Sequence, residues 1–236
     1  HLPLPAVSIA LCRVLMDSSD RRAAARVGEE SLRVAAKHGS TVTSEYLRLA
    51  ATVGGIYYEL GDLTQATAHL DTFIAIAAQE GLPAGQSALY WNAALVAESR
   101  DRQDEAAHLG ERALALVSEG DTTRDLGRLR SEVAWLVLRA DPSRAPEATA
   151  ILDRALPALQ DFGSPADMAT WERVRSLSEL LTGEPERAER TARQALDLLS
   201  PYPTSETAQV LVTLGDALAA QKRDDDARAQ YRAAME

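Results

Sequence analysis

The chain has 236 residues, 46% of them hydrophobic but only 5% aromatic, and a formal net charge of −10. That acidity repels phosphate backbones, so the chain by itself is not expected to bind nucleic acid. Its one cysteine, Cys12, excludes an internal disulfide, and no apolar run reaches the roughly 18 residues that a membrane span needs, so a cytoplasmic protein is expected.

Abundant Ala and Leu favour helix throughout, and one alignment organises the whole chain. The segments RAAARVGEESL, TQATAHLDTFI, DEAAHLGERAL, PEATAILDRAL, ERAERTARQAL and DDARAQYRAAM place Ala24, Ala66, Ala106, Ala148, Ala188 and Ala227 in one column. The intervals are 42, 40, 42, 40 and 39 residues. Twelve residues upstream stands a second small residue: Cys12, Gly54, Ala94, Ser176 and Gly215. Ala134 takes that slot in the fourth unit if the spacing stretches by two residues around ADPSRAPE. Small residues at two such positions let paired helices approach closely.

Taken in order, the units run approximately 5–38, 42–80, 83–119, 122–162, 165–200 and 204–236. In the second, Gly61 ends a helix, while Asp62 and Gln65 supply a capping box for the next. The fourth contains Pro157, expected to kink its helix or end it early. Ser164, Pro165 and Asp167 read as N-cap, N1 and N3 of the fifth, and Pro185 opens a helix after Gly183. In the sixth, Asp224 to Asp226 sit at a helix start, where carboxylates complement the dipole.

The second unit, GGIYYELGDLTQATAHLDTFIAIA, resembles a tetratricopeptide repeat (TPR), with Gly54, Tyr57, Gly61, Ala66, Leu70 and Phe73 in the signature slots. The period exceeds that family's usual 34 residues, which keeps HEAT or armadillo units as the rival. The expected fold is all-α: one right-handed superhelical solenoid over 1–236, of about six hairpins and roughly 12 helices. First helices would line a concave groove. Counting along them gives Arg48, Ala51, Gly55 and Tyr58, then Ala88, Trp91, Asn92, Leu95 and Glu98, then Arg128, Ser131, Glu132, Trp135 and Leu138.

From these, Arg48, Tyr58, Trp91, Asn92, Glu98, Arg128 and Trp135 are the expected ligand-binding residues. Asn92 lies one helical step from the seam of Tyr90, Ala94 and Ala97, so it is expected to face the groove with both amide groups open to a peptide backbone. Trp91 and Trp135 filling space between first helices, with Asn92 bonded to a neighbouring repeat, is the structural alternative. The arrangement resembles the peptide clamp of other TPR domains, which pairs an Asn at the sixth position with a basic residue at the second position of the next repeat. Asn92 and Arg128 match, whereas Glu132 stands where a second basic residue would be.

Catalytic and metal signals are absent. His1, His38, His69 and His108 lack ligand spacing, and His69 and His108 are expected on outward-facing second helices. Cys12 occupies a packing slot with no neighbouring His. Glu29 with Glu30 reads as solvated surface. No enzyme and no cofactor is expected.

The stretch WNAALVAESRDRQDEAAHLGERALALVSEGDTTRDLGRLRSEVAWLVLRADP resembles the sensor half of actinomycete helix-turn-helix regulators of the XRE type, in its WN, ERALAL, RDLGRLR and AWLVLRADP pieces. An Arg-rich composition with Lys only at 37 and 222 suits a GC-rich genome. The resemblance implies a relative of peptide-pheromone receptors: an effector domain binding a peptide, small molecule or protein in its groove and allowing a homodimer. It would contact DNA only through an N-terminal domain, and the start at HLPLP and the end at AQYRAAME read as a fragment. A TPR scaffold for protein partners is the alternative.

Overall fold

A computed structural model describes residues 4–37, 42–117, 123–200 and 205–235, the side chains at 83, 84 and 205 excepted. These residues form twelve α-helices in hairpins, with no strand among them. The hairpins are α1 (Leu4–Asp17) with α2 (Arg21–Lys37), α3 (Ser44–Glu59) with α4 (Leu63–Glu80), and α5 (Pro83–Glu98) with α6 (Gln103–Ala115). They continue with α7 (Arg124–Ala140) and α8 (Ala145–Phe162), α9 (Pro165–Leu181) and α10 (Pro185–Leu199), and α11 (Ser205–Ala220) and α12 (Asp224–Ala233). The fold is all-α.

Helix boundaries follow local chemistry. Thr43, Asp62 and Thr123 each accept a backbone N–H three residues on, satisfying donors that a helix start leaves open. Ser164 and Asp167 do so reciprocally, a complete capping box ahead of α9. Hairpin turns repeat one feature: a residue with positive φ, namely Ser19, Gly61, Asp101, Gly183 and Lys222. In the fourth hairpin a 3-10 turn, Pro142–Arg144, stands in its place, where the repeat spacing stretches.

The aligned alanines at 24, 66, 106, 148, 188 and 227 are all buried, and their hairpin partners show why small residues recur. A Cβ on Gly54 would overlap Leu70, one on Gly215 would overlap the Tyr231 ring, and Gly28 lies against the sulfur of Cys12. A small residue on one helix thus admits a larger one on the other, at close-packed density. Ser176 also donates to the Ala188 carbonyl at 2.7 Å, tying α9 to α10 directly.

The chain divides into two compact units, His1–Glu119 and Gly120–Glu236. In unit 1, Leu47, Leu49, Val53, Leu70 and Leu89 are fully enclosed, each worth roughly 1.5–3 kcal/mol of burial. Around them Tyr46, Phe73, His69 and Tyr57 form an aromatic row. In unit 2, Val133, Val137, Leu152, Leu159, Val174, Val210 and Leu218 are enclosed, alongside buried charges described below.

Two sequence expectations are corrected. Pro157 neither breaks nor shortens α8, which runs on to Phe162. Ala155, Ala158 and Leu159 around it are buried, and their packing offsets the lost N–H bond and the ring clash. His69 is not a solvated surface residue. It lies between Tyr57 and Phe73 with Nε2 2.9 Å from the Ala50 carbonyl, and burial holds its imidazole below the usual histidine range. His108 is exposed as expected, while His1 and His38 lie outside the described residues.

Candidate functional site

In unit 1 the expected residues come from α3 and α5, which lie side by side. Asn92 is half-buried, and its Nδ2 donates to the Ala51 carbonyl at 2.8 Å. Its amide rests over Gly55, where a Cβ would stand 3.5 Å away. The expectation that both amide groups are open is therefore corrected: the NH2 ties α5 to α3. A helix surface without a side chain at Gly55 lets the amide reach the backbone of the neighbouring helix. Farther along, the Ser99 hydroxyl donates to the Tyr58 hydroxyl at 3.4 Å. Trp91 and Glu98 are half-buried on α5, and Arg48 is exposed on α3.

In unit 2 the first helices α7, α9 and α11 are cross-linked by charge. Asp167, only 8% exposed, accepts from Arg124 Nε at 2.6 Å and pairs with Arg128 at 3.2 Å. The Ser164 backbone N–H and hydroxyl donate to the same carboxylate. Burial alone would raise the Asp167 pKa, but Arg124 and the Ser164 donors outweigh it and hold the group below the usual carboxylate range. Arg128, the expected peptide-gripping residue, is thus paired to α9 while its side chain stays half exposed.

Trp135 is half-buried, with the Arg173 guanidinium 4.4 Å from its ring centre and Arg139 at 5.5 Å. Arg173, itself only 4% exposed, reaches Glu206 of α11 at 2.6 Å. One guanidinium therefore joins an aromatic face and a carboxylate across three helices. Beside Asp167 opens a recess of about 140 Å³ lined by Arg128, Ser131, Glu132, Ala166, Asp167 and Thr170. Its walls offer guanidinium, carboxylate and hydroxyl groups, and the Ser131 and Thr170 hydroxyls already donate to their own helix. They remain able to accept.

Sequence reasoning missed Arg124, Asp167, Arg173 and Glu206. The sequence marks Asp167 only as the N3 residue of a capping box. Extending the groove count one unit further, with Ser176 in the small-residue slot, gives Thr170 and Arg173, so the repeat register itself held that signal. Among the described residues no group of three His, Cys, Asp or Glu side chains is placed to hold a metal ion. No described helix is long and apolar enough to cross a membrane.

No protein-family profile and no curated protein matches this chain. Solved structures do, at the level of fold. BtubC (BKLC) from P. vanneervenii superposes with a TM-score of 0.66 and 19% identity over 90% of this chain and 87% of its own. RapI in its apo form gives 0.67 with 13% identity, over 98% of this chain and 65% of its own. NprR, crystallised with its cognate peptide NprX, gives 0.57 with 16% identity, over 98% and 66%. The chain therefore spans about two thirds of the latter two proteins. Others include a kinesin light chain with TPR-like repeats from Podosopora anserina and aspartyl phosphate phosphatase F from Bacillus subtilis. The architecture is thus that of TPR-like repeat proteins.

Proposed function

We propose that this chain is the peptide-sensing TPR domain of a transcriptional regulator, with its ligand held along the first helices. The carrying observation is the recess beside Asp167. Its roughly 140 Å³ is small against the 300–1,000 Å³ of typical small-molecule pockets, so it suits one peptide side chain or peptide group. Arg128 and Trp135 of the same unit supply guanidinium and aromatic surfaces for the rest, and unit 1 offers Trp91 and Asn92 as a surface of its own. Asn92 contributes its carbonyl oxygen, since its NH2 is engaged.

Fold-level likeness to NprR, solved with a peptide, supports this reading. By the sequence resemblance, an N-terminal helix-turn-helix domain would read DNA, and a ligand that prefers one curvature of the repeats would shift the regulator toward it. A protein-gathering scaffold is the second reading, favoured by likeness to kinesin light chain repeats.

Selection of a random heptapeptide library on the immobilised protein tests the groove. Peptides held by unit 2 should lose at least tenfold in affinity on the Arg128→Ala variant, and peptides held by unit 1 should do so on Trp91→Ala. No enrichment, or equal binding to the variants, sinks the peptide reading. The coding sequence upstream of residue 1 tests the regulator: a signalling or catalytic domain there would point to the scaffold.

A further inference from the structure

The crevice between α4, α5 and α6 follows the same register as those of α2–α3–α4, α8–α9–α10 and α10–α11–α12, yet it is not filled. Two of the α5 residues that line it are Ala93 and Ala97. Counted from the small-residue slot, the same places hold Val53 and Tyr57 on α3, Arg175 and Glu179 on α9, and Leu214 and Leu218 on α11. Each of those pairs closes its crevice. Val53 lies against Gly28 while Tyr57 donates to Glu29, Arg175 bridges Asp153 and Glu179, and Leu214 and Leu218 are buried. Two methyl groups leave instead a recess of about 60 Å³ within unit 1.

Its lining is apolar between two charges. On the α4 side stand Asp71 and, one turn before it, Thr67, whose hydroxyl donates to the Leu63 carbonyl and can still accept. On the α5 side stands Arg100, half-buried. Among the described residues neither the Asp71 nor the Arg100 side chain has a hydrogen bond or an ion pair, and they do not pair with each other. Arg102 and Glu105, at the same rim, are paired together. The carboxylates that match Asp71 in the repeat are both engaged from the first helix, Glu29 by Tyr57 and Asp153 by Arg175. Asp71 lacks that partner.

We infer that this recess binds a small zwitterion of the α-amino-acid class, its ammonium on Asp71 and Thr67 and its carboxylate on Arg100. Charge selects both ends. A lone cation would face Arg100 and a lone anion would face Asp71, whereas a dipolar ligand satisfies the two together. Size agrees: at roughly 10–15 Å³ for each water-sized group, about five heavy atoms enter, the size of glycine or alanine. The site is separate from the proposed peptide surface, because Ala93, Ala97 and Arg100 lie on the opposite face of α5 from Trp91 and Asn92.

An amide NMR titration with L-alanine, from roughly 0.1 to 50 mM, tests this. Saturable shifts should concentrate in α4, α5 and α6. Asp71→Asn and Arg100→Gln should each weaken binding at least tenfold, while Asp104→Asn, exposed on α6, should leave it unchanged. Ala97→Leu, which installs the side chain found at the matching place in α11, should fill the recess and abolish the shifts with helix content intact. N-acetylalanine, without the ammonium, and alaninamide, without the carboxylate, should each bind at least tenfold more weakly than alanine. No saturation, equal binding to the Asp71 and Arg100 variants, or equal binding of either blocked form overturns the inference. Methylguanidinium binding as tightly as alanine would also overturn it, in favour of an arginine side chain from a partner.

Discussion

Units 1 and 2 share one hairpin plan yet are held together by different chemistry. Among the described residues, the buried polar side chains of unit 1 reduce to Ser8, whereas unit 2 encloses Asp167, Arg173, Glu179 and Glu189 with several hydroxyls. Glu179 takes Arg175, Arg187 and the Thr191 hydroxyl. Glu189 takes Arg193, Arg223 and Gln221. In unit 1 the enclosed core is instead the apolar cluster around Leu47, Val53, Leu70 and Leu89. A repeat scaffold can therefore be closed by shape or by charge, and the two solutions should fail under different stresses.

The largest expected effect separates them at once. Arg173→Ala removes one partner of a buried pair and strips the cover from Trp135, at about 3–5 kcal/mol. Hydrogen exchange should show lost protection in α7, α9 and α11 while α3 to α5 keep theirs. In unit 1, Leu70→Ala opens a cavity beside Gly54 and should cost roughly 3 kcal/mol. That loss should be the same at low and high salt in urea titrations. A salt-dependent loss at Leu70 would erase the distinction.

Acid should act on unit 2 first. The pKa values of Asp167 and Glu189 are held low in the fold, the latter against burial by Gln221 and Arg223. Their stabilisation is thus present above the ordinary carboxylate range and is lost as pH falls through the depressed values. Glu172 works in the opposite sense. Burial, with Glu179 nearby, pushes it up to about 7, so ionising it costs stability as pH rises from the unfolded value toward 7. Glu172→Gln should leave the melting temperature unchanged near pH 4 and raise it at pH 8. A variant less stable at pH 8 would show that the carboxylate has a stabilising role.

Smallest is Asn92→Ala, which removes one hydrogen bond between α3 and α5. A loss of about 1 kcal/mol is expected in urea unfolding, and a change under a few tenths would mean that water replaces the amide without loss.

The hairpins were legible because each depends on residues close in sequence. A small residue, a partner twelve positions on and a cap such as Ser164 with Asp167 all lie within one hairpin. The charge network was not. Arg173 and Glu206 are 33 residues apart, Arg124 and Asp167 are 43 apart, and nothing local distinguishes such residues from solvated ones. Asn92 was legible as unusual, but its partner is a backbone carbonyl, which no side-chain pattern announces. His69 was misjudged because its burial depends on Tyr57 from the other helix of the hairpin.

The size matching inside the hairpins has a consequence for recombination. Gly54 meets Leu70, Gly215 meets the Tyr231 ring, and Cys12 meets Gly28. Helices that look like exchangeable modules are therefore keyed to their own partners. Moving α12, with its tyrosine, behind α1 would drive the ring into Cys12, and moving α2 behind α11 would leave Gly215 facing Gly28 across a void. Hairpins could be shuffled whole, but single helices could not, and the sizes of a few side chains are what keep the order of this chain.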